Sequence, residues 1–354
     1  MNPTALAHIR EDAGLLLHAI DAPQRRALFV RIGEAKLRAA AFLDERATAG
    51  SPDGFWLPLR DLEELSGAAL PAPRGFIFHI GHCGSTLLSR LLDRWPDTLG
   101  LREPRVLRDL AGLRDAQADT AWLSVQDWQR LFQGTIGLLG RRFRPAERVL
   151  VKATSSCNEL VEPLLGIDAD VRVVLMHMPL ENYLATLLKA PSRLDALTFA
   201  PPRLAYLQKH FGADDVRLYG LDEVEVLALG WIVEMARFAQ IAGGPDAARV
   251  MGCDFEDFLR DPAAQLAKIA AHLGLADAEA VAKAAVQSDA MHAYSKAPDH
   301  AYGSADREHD LALAHRRFGA EIARGLRFAE SLMARYPRLA ELIDGPGRAQ
   351  RQTR

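Results

Sequence analysis

Phe76-Ile77-Phe78-His79-Ile80-Gly81-His82-Cys83-Gly84-Ser85-Thr86-Leu87-Leu88-Ser89-Arg90-Leu91-Leu92 carries the reading of the fold. Its first five residues are apolar and rich in β-formers, as in a buried strand of a parallel sheet. Gly81 to Thr86 interrupts the run, and from Leu87 onward the apolar residues fall at helical spacing. Strand, tight loop and helix in that order have a physical use. The first amides of the helix lack intrahelical acceptors and the helix dipole places positive potential there, so an anion is held well. Gly81 and Gly84 would let the backbone approach a phosphate closely, and Ser85 and Thr86 would add hydroxyl donors. The same glycines would equally serve a plain βα turn, and a short glycine motif does not separate the two uses.

Working outward, Val149–Val151, Val171–Met176 and Val250–Gly252 read as further strands. The stretches 104–114, 124–140, 156–165, 180–189, 222–242 and 262–273 between and after them read as helices. This alternation implies an α/β fold with a central parallel sheet and helices on both faces. Residues 190–220 read as a mostly helical insertion near the site. Upstream, Leu15, Leu16, Ile20, Leu28 and Ile32 recur at helical spacing, so 4–48 reads as helical, followed by a turn at Ser51-Pro52-Asp53-Gly54. The expected organisation is an N-terminal helical extension over 1–70, an α/β domain over 75–340 and a basic, frayed tail over 345–354.

The chain has 354 residues and a net charge of −3, so no global field draws it to nucleic acid or to a membrane. Three cysteines (Cys83, Cys157, Cys253) without a CxxC argue against a disulfide framework and a structural zinc site. That usage fits a reducing cytosol, and the expected location is cytoplasmic. The start of the chain lacks a basic segment followed by an unbroken apolar one, and no apolar run approaches the roughly 20 residues a membrane helix needs. The nucleotide kinase and ATPase loop requires GxxxxGK[ST], but Gly84 is followed by Ser85, so Mg-ATP chemistry ranks second. No dinucleotide-binding glycine fingerprint is present.

His82-Cys83-Gly84-Ser85-Thr86-Leu87 resembles the [KR]SGTT[LW] loop of the P-loop sulfotransferase superfamily. Leu87 to Asp97 looks like the helix and turn that follow it, and Glu103 in Leu101-Arg102-Glu103-Pro104 matches the acidic residue of the tyrosylprotein sulfotransferases and their bacterial relatives. Val149-Leu150-Val151-Lys152 is similar to the family's strand ending in a lysine. Val171 to Pro179 resembles the strand leading into its RDP segment, and Met251 to Pro262 its YEDL…DP segment. The ordered set spans roughly 75–300.

The resemblance implies a three-layer P-loop NTPase-like α/β fold, and transfer of a sulfuryl group from 3′-phosphoadenosine 5′-phosphosulfate (PAPS) to an acceptor hydroxyl or amine, with no metal required. It places Gly81, His82, Cys83, Gly84, Ser85 and Thr86 around the 5′-phosphosulfate, Glu103 as general base, and Lys152 and His82 as charge stabilisers. His177, Thr186, Lys296 and Arg307 are implied at the rest of the nucleotide. The sequence departs from the family at three points: His82 stands for a loop cation, His177 for the arginine that grips the 3′-phosphate, and Ala185 for a serine, with Thr186 adjacent. A neutral histidine donates one hydrogen bond where arginine forks two charge-assisted ones. Beside a phosphate its pKa would rise and the cation could be recovered. Two alternatives therefore stay open, a binding protein that has lost its donor site and an ATP-dependent phosphotransferase. The acceptor is expected to be a small molecule or a peptide, and the sequence leaves the oligomeric state open. Glu256 and Asp257 are expected to cap the helix that follows the last strand.

Overall fold

Leu15, Leu16 and Ile20, expected on a helix, lie instead on a strand. In the computed structural model, which describes residues 3–49, 53–66, 70–115, 123–190, 193–291, 293–294, 297–301 and 303–345, three strands occupy the N-terminal region. β1 (Leu15–Asp21), β2 (Arg26–Arg31) and β3 (Gly54–Pro58) form an antiparallel sheet in the order β1-β2-β3. The helical reading of 4–48 is thereby corrected, since helix occupies only Pro3–Glu11, Glu34–Ala39 and Glu45–Thr48 of that stretch. β1 is buried on both faces, and a continuous apolar run does not distinguish a helix from a buried strand. The turn that follows forbids a helix. Pro23 has no N–H to give, Asp21 Oδ1 accepts from the Gln24 amide at 3.1 Å, and Arg25 takes a left-handed φ of 50°. The register of β1 shifts between Leu17 and Ala19, which leaves His18 in a bulge with its ring buried.

β4 (Gly75–His79), β5 (Thr98–Arg102), β6 (Arg148–Lys152), β7 (Arg172–His177) and β8 (Val250–Asp254) form a parallel sheet flanked by helices, in the order β5-β6-β4-β7-β8. The strands expected near 76, 149, 171 and 250 are all present; β5 was not expected. Gly100 and Arg102 spoil its apolar pattern, and both belong to one arrangement. Arg102 pairs with Asp93, and a Cβ added at Gly100 would meet the Asp93 carboxylate at 2.2 Å. The Arg102 side chain is 1% exposed and also donates to the carbonyls of Arg38 and Ala40. Burial, helped by the nearby Arg90 charge, pulls its pKa down to about 10.

The chain divides into two compact units. The first comprises residues 1–79, 85–174 and 261–300; the second comprises 80–84, 175–260 and 301–354. In the first unit, β6 pairs on one side with β5 and on the other with β4, and Lys152 is level with both Arg102 and Ile77. In the second unit, the expected insertion is helical, with helices Arg193–Thr198 and Ala200–Phe211, the latter stopped at Gly212 with φ 68°. Helix Glu223–Ala242 opens on a capping box formed by Asp222 and Glu225. The long helix Ser304–Arg335 approaches it closely at Gly325, where an added Cβ would lie 2.7 Å from Leu184 and 3.1 Å from Val224. The tail over 346–354 lies outside the described residues. Among the described residues no helix is long and apolar enough to cross a membrane, and no three His, Cys, Asp or Glu side chains are grouped as metal ligands would be.

Candidate functional site

Two of the implied residues meet at the carboxyl edge of the sheet in the first unit. Lys152 ends β6 and Glu103 follows β5, and the parallel ladder runs one step past the strand, with the Glu103 amide donating to the Lys152 carbonyl at 2.6 Å. Pro104 cannot continue that ladder. Glu103 takes φ 51°, one of only four non-glycine residues with positive φ among those described. Such a backbone costs about 1–3 kcal/mol and persists only where its surroundings over-determine it. Here it turns the carboxylate back onto Lys152, whose Nζ donates to Glu103 Oε1. The ammonium is 1% exposed and the carboxylate 15%, so the pair is buried at its cationic end and reachable at its anionic end.

Sequence reasoning did not single out Phe42, Arg46 or Thr154 near this pair. Residues 42–46 run past the end of β5, held by the Leu43 amide on the Arg102 carbonyl (2.7 Å) and the Arg105 amide on the Leu43 carbonyl (3.1 Å). They place the Phe42 ring 5.8 Å from Lys152 Nζ and the Arg46 guanidinium over that same ring at 3.6 Å. Arg46 is held by Asp44, and the Glu103 charge adds to the raising of its pKa. Two residues beyond Lys152, the Thr154 hydroxyl is buried with no hydrogen-bond partner among the described residues. Ser85 and Thr86 open the helix Ser85–Leu92 with side chains 4% and 3% exposed. One turn on, burial lowers the pKa of Arg90.

The loop itself belongs to the second unit. Gly81 (φ 92°), His82 (φ 55°) and Gly84 (φ 74°) are all left-handed, so three of the five residues from Ile80 to Gly84 curl the chain tightly. The Ile80 amide and the Cys83 thiol both donate to the Met176 carbonyl, at 3.2 and 3.4 Å. Cys83 is fully buried by this contact, and its side chain faces the protein interior. Gly84 has a cause beyond phosphate approach. A Cβ there would sit 2.1 Å from the Phe255 ring.

His177, which ends β7, lies with Nδ1 3.6 Å from Asp254 Oδ2. The other oxygen of Asp254 accepts from the Glu256 and Asp257 amides at 2.8 and 3.3 Å. The cap of the helix Phe255–Arg260 is therefore Asp254, which corrects the reading that gave this role to Glu256 and Asp257. A cap precedes the first turn, and residues inside that turn need capping themselves. Glu256 instead accepts from Asn182 at 2.8 Å and takes both Nη atoms of Arg307, whose guanidinium also lies 5.2 Å from the Phe255 ring centre. Asp257 pairs with Arg260. Thr186 is half-buried on the helix Leu180–Leu188, beside the buried Ala185. Lys296 lies outside the described residues. Burial raises the thiols of Cys157 and Cys253, the latter to about 12.

No protein-family profile matches this sequence, and no curated protein matches it. Solved structures do. A sulfotransferase domain from the curacin biosynthetic pathway is 15% identical, with 75% of this chain and 98% of that chain covered and a TM-score of 0.41. A sulfotransferase from Mycobacterium tuberculosis H37Rv is 18% identical, with 74% and 82% covered and a TM-score of 0.38. The sulfotransferase domain of the Synechococcus PCC 7002 olefin synthase is 17% identical, with 75% and 96% covered and a TM-score of 0.38. The chain is thus similar in structure to bacterial sulfotransferases at low sequence identity.

Proposed function

We propose that this chain transfers a sulfuryl group from PAPS to a hydroxyl or amine of a small-molecule or peptide acceptor. The observation that carries the reading is the Glu103–Lys152 pair. Ligands of open α/β sheets bind outside the carboxyl ends of the strands, and these two residues lie at the carboxyl ends of neighbouring strands. The Thr154 hydroxyl two residues further on, buried without a hydrogen-bond partner among the described residues, fits a polar ligand at that edge.

Bound PAPS supplies an activated sulfuryl group and, in adenosine 3′,5′-bisphosphate, a good leaving group. The chain's own residues do the rest. Glu103, reachable at its carboxylate, takes the acceptor proton as the acceptor oxygen or nitrogen bonds to sulfur. Lys152 releases Glu103 and donates to the oxygen that receives the electron pair of the breaking S–O bond. Ser85 and Thr86, at the helix start into which the loop runs, hold the phosphosulfate with their amides.

One observation favours a second reading, a binding protein with a reduced donor site. Two of the four residues implied at the rest of the nucleotide face carboxylates, His177 towards Asp254 and Arg307 towards Glu256. Calorimetric titration with adenosine 3′,5′-bisphosphate at pH 6 and pH 8, with ADP and Mg²⁺ as control, separates the readings. Micromolar binding that weakens at pH 8 is expected for a donor site in which histidines replace arginines. Glu103→Gln should keep that binding and lose turnover by a factor of at least ~10². Absence of binding at both pH values overturns the transferase reading, and full turnover in Glu103→Gln removes the base from it.

A further inference from the structure

A cavity of about 630 Å³ opens at the amino ends of β4, β6 and β7, the sheet edge opposite Glu103 and Lys152. It lies wholly within the first unit. Arg74, Arg142, Arg148, Arg172, His272 and Gly274 are among its lining residues, with Glu147 and Asp170 as the acids.

The acids are already neutralised. Glu147 is buried and accepts from the Phe143 amide (2.9 Å), the Arg144 amide (3.0 Å) and the Arg144 guanidinium (2.9 Å), and it also pairs with Arg38. Asp170 accepts from Arg74 at 2.6 Å. Three guanidinium groups remain. Among the described residues, Arg142 donates only to the carbonyls of Pro145 (3.0 Å) and Glu147 (3.2 Å), and Arg172 only to those of Ala169 (2.9 Å) and Val171 (3.2 Å). The Arg148 guanidinium lies against Gly274, where an added Cβ would approach it to 3.1 Å and where φ is 70°. None of the three pairs with a carboxylate among the described residues. At the same rim His272 Nε2 meets the Val173 carbonyl at 3.1 Å; a carbonyl only accepts, so the proton is on Nε2.

We propose that this cavity is a second anion site, separate from the carboxyl-edge cluster, that takes a small molecule bearing a phosphate or sulfate group. Three guanidinium-bearing residues lining one cavity, two from the 142–148 stretch and one from the start of β7, suit the several oxygens of a tetrahedral oxyanion better than the two of a carboxylate. The volume falls within the range of small-molecule sites, about 300–1,000 Å³. The charge is local, since the whole chain carries −3.

Calorimetric titration of the full chain with inorganic pyrophosphate and, separately, inorganic sulfate tests this and tells the two anion classes apart. The wild type should bind at least one of them. Arg148→Gln, which removes no hydrogen bond seen in the structure, should weaken binding at least tenfold, and Arg148→Lys should weaken it less. Arg60→Gln, which removes an exposed charge outside the cavity, should leave it unchanged, and thermal melting verifies that each variant is folded. If Arg148→Gln does not fold, Arg172→Gln takes its place. Binding of neither anion by the wild type overturns the proposal. So does unchanged affinity in the cavity-arginine variants, or an equal loss in Arg60→Gln, which would assign the binding to net charge instead.

Discussion

Glu103→Gln and Lys152→Met both break the same ion pair, yet the structure makes their costs unequal. Glu103→Gln leaves an ammonium whose side chain is 1% exposed without its countercharge. Removing one partner of a buried pair typically costs about 3–5 kcal/mol, and because the glutamine carbonyl still accepts from Nζ, about 2–3 kcal/mol is expected here. Lys152→Met removes the buried charge itself and fills its place with an unbranched apolar chain. The charge left behind is Glu103, which is 15% exposed and can take water, so about 0–1 kcal/mol is expected. The difference of about 2 kcal/mol corresponds to roughly a thirtyfold change in the folding equilibrium. Urea unfolding of the two single variants and the double variant, followed by tryptophan fluorescence, measures it. The double variant should resemble Lys152→Met alone, because no buried charge remains in it. Equal losses in the two single variants, or a larger loss in Lys152→Met, would refute the reasoning.

Gly84→Ala should destabilise by about 3 kcal/mol, from a left-handed backbone and a Cβ driven into the Phe255 ring. Adding Phe255→Ala should recover at least ~1 kcal/mol relative to the sum of the single variants, and strict additivity would remove Phe255 as the cause. His18 has its pKa lowered, chiefly by burial and then by the Arg105 charge, and its Nδ1 is buried with no hydrogen-bond partner among the described residues. Below about pH 6.5 the unfolded chain binds a proton that the folded chain resists, so stability should fall as pH drops from 7 to 5.5, by at most ~1.4 kcal/mol per pH unit. His18→Gln should flatten that stretch of the profile, and parallel melting-temperature curves for variant and wild type would exclude His18 as its source.

How much of this was legible beforehand follows from the range of the forces involved. β4, β6, β7 and β8 announce themselves as short apolar runs, because each is buried by its own composition. The loop over Gly81–Gly84 is legible for a similar reason, since left-handed backbone at two positions calls for glycine. β5 was hidden because its glycine and arginine answer to Asp93 rather than to strand propensity. β1 was misread because an apolar run buried on both sides has no period to reveal its form. The candidate residues divide in the same way. Glu103 and Lys152 could each be picked out by local context, but they stand 49 residues apart, and only strand order β5-β6 and their shared register make them partners. Phe42 and Arg46 carry no local signal, because their approach to Lys152 and Glu103 joins segments distant along the chain. Local pattern sets which segments become strand, loop or helix; which side chains then share a site depends on the order in which the strands pair, a choice made by the packing of the whole sheet.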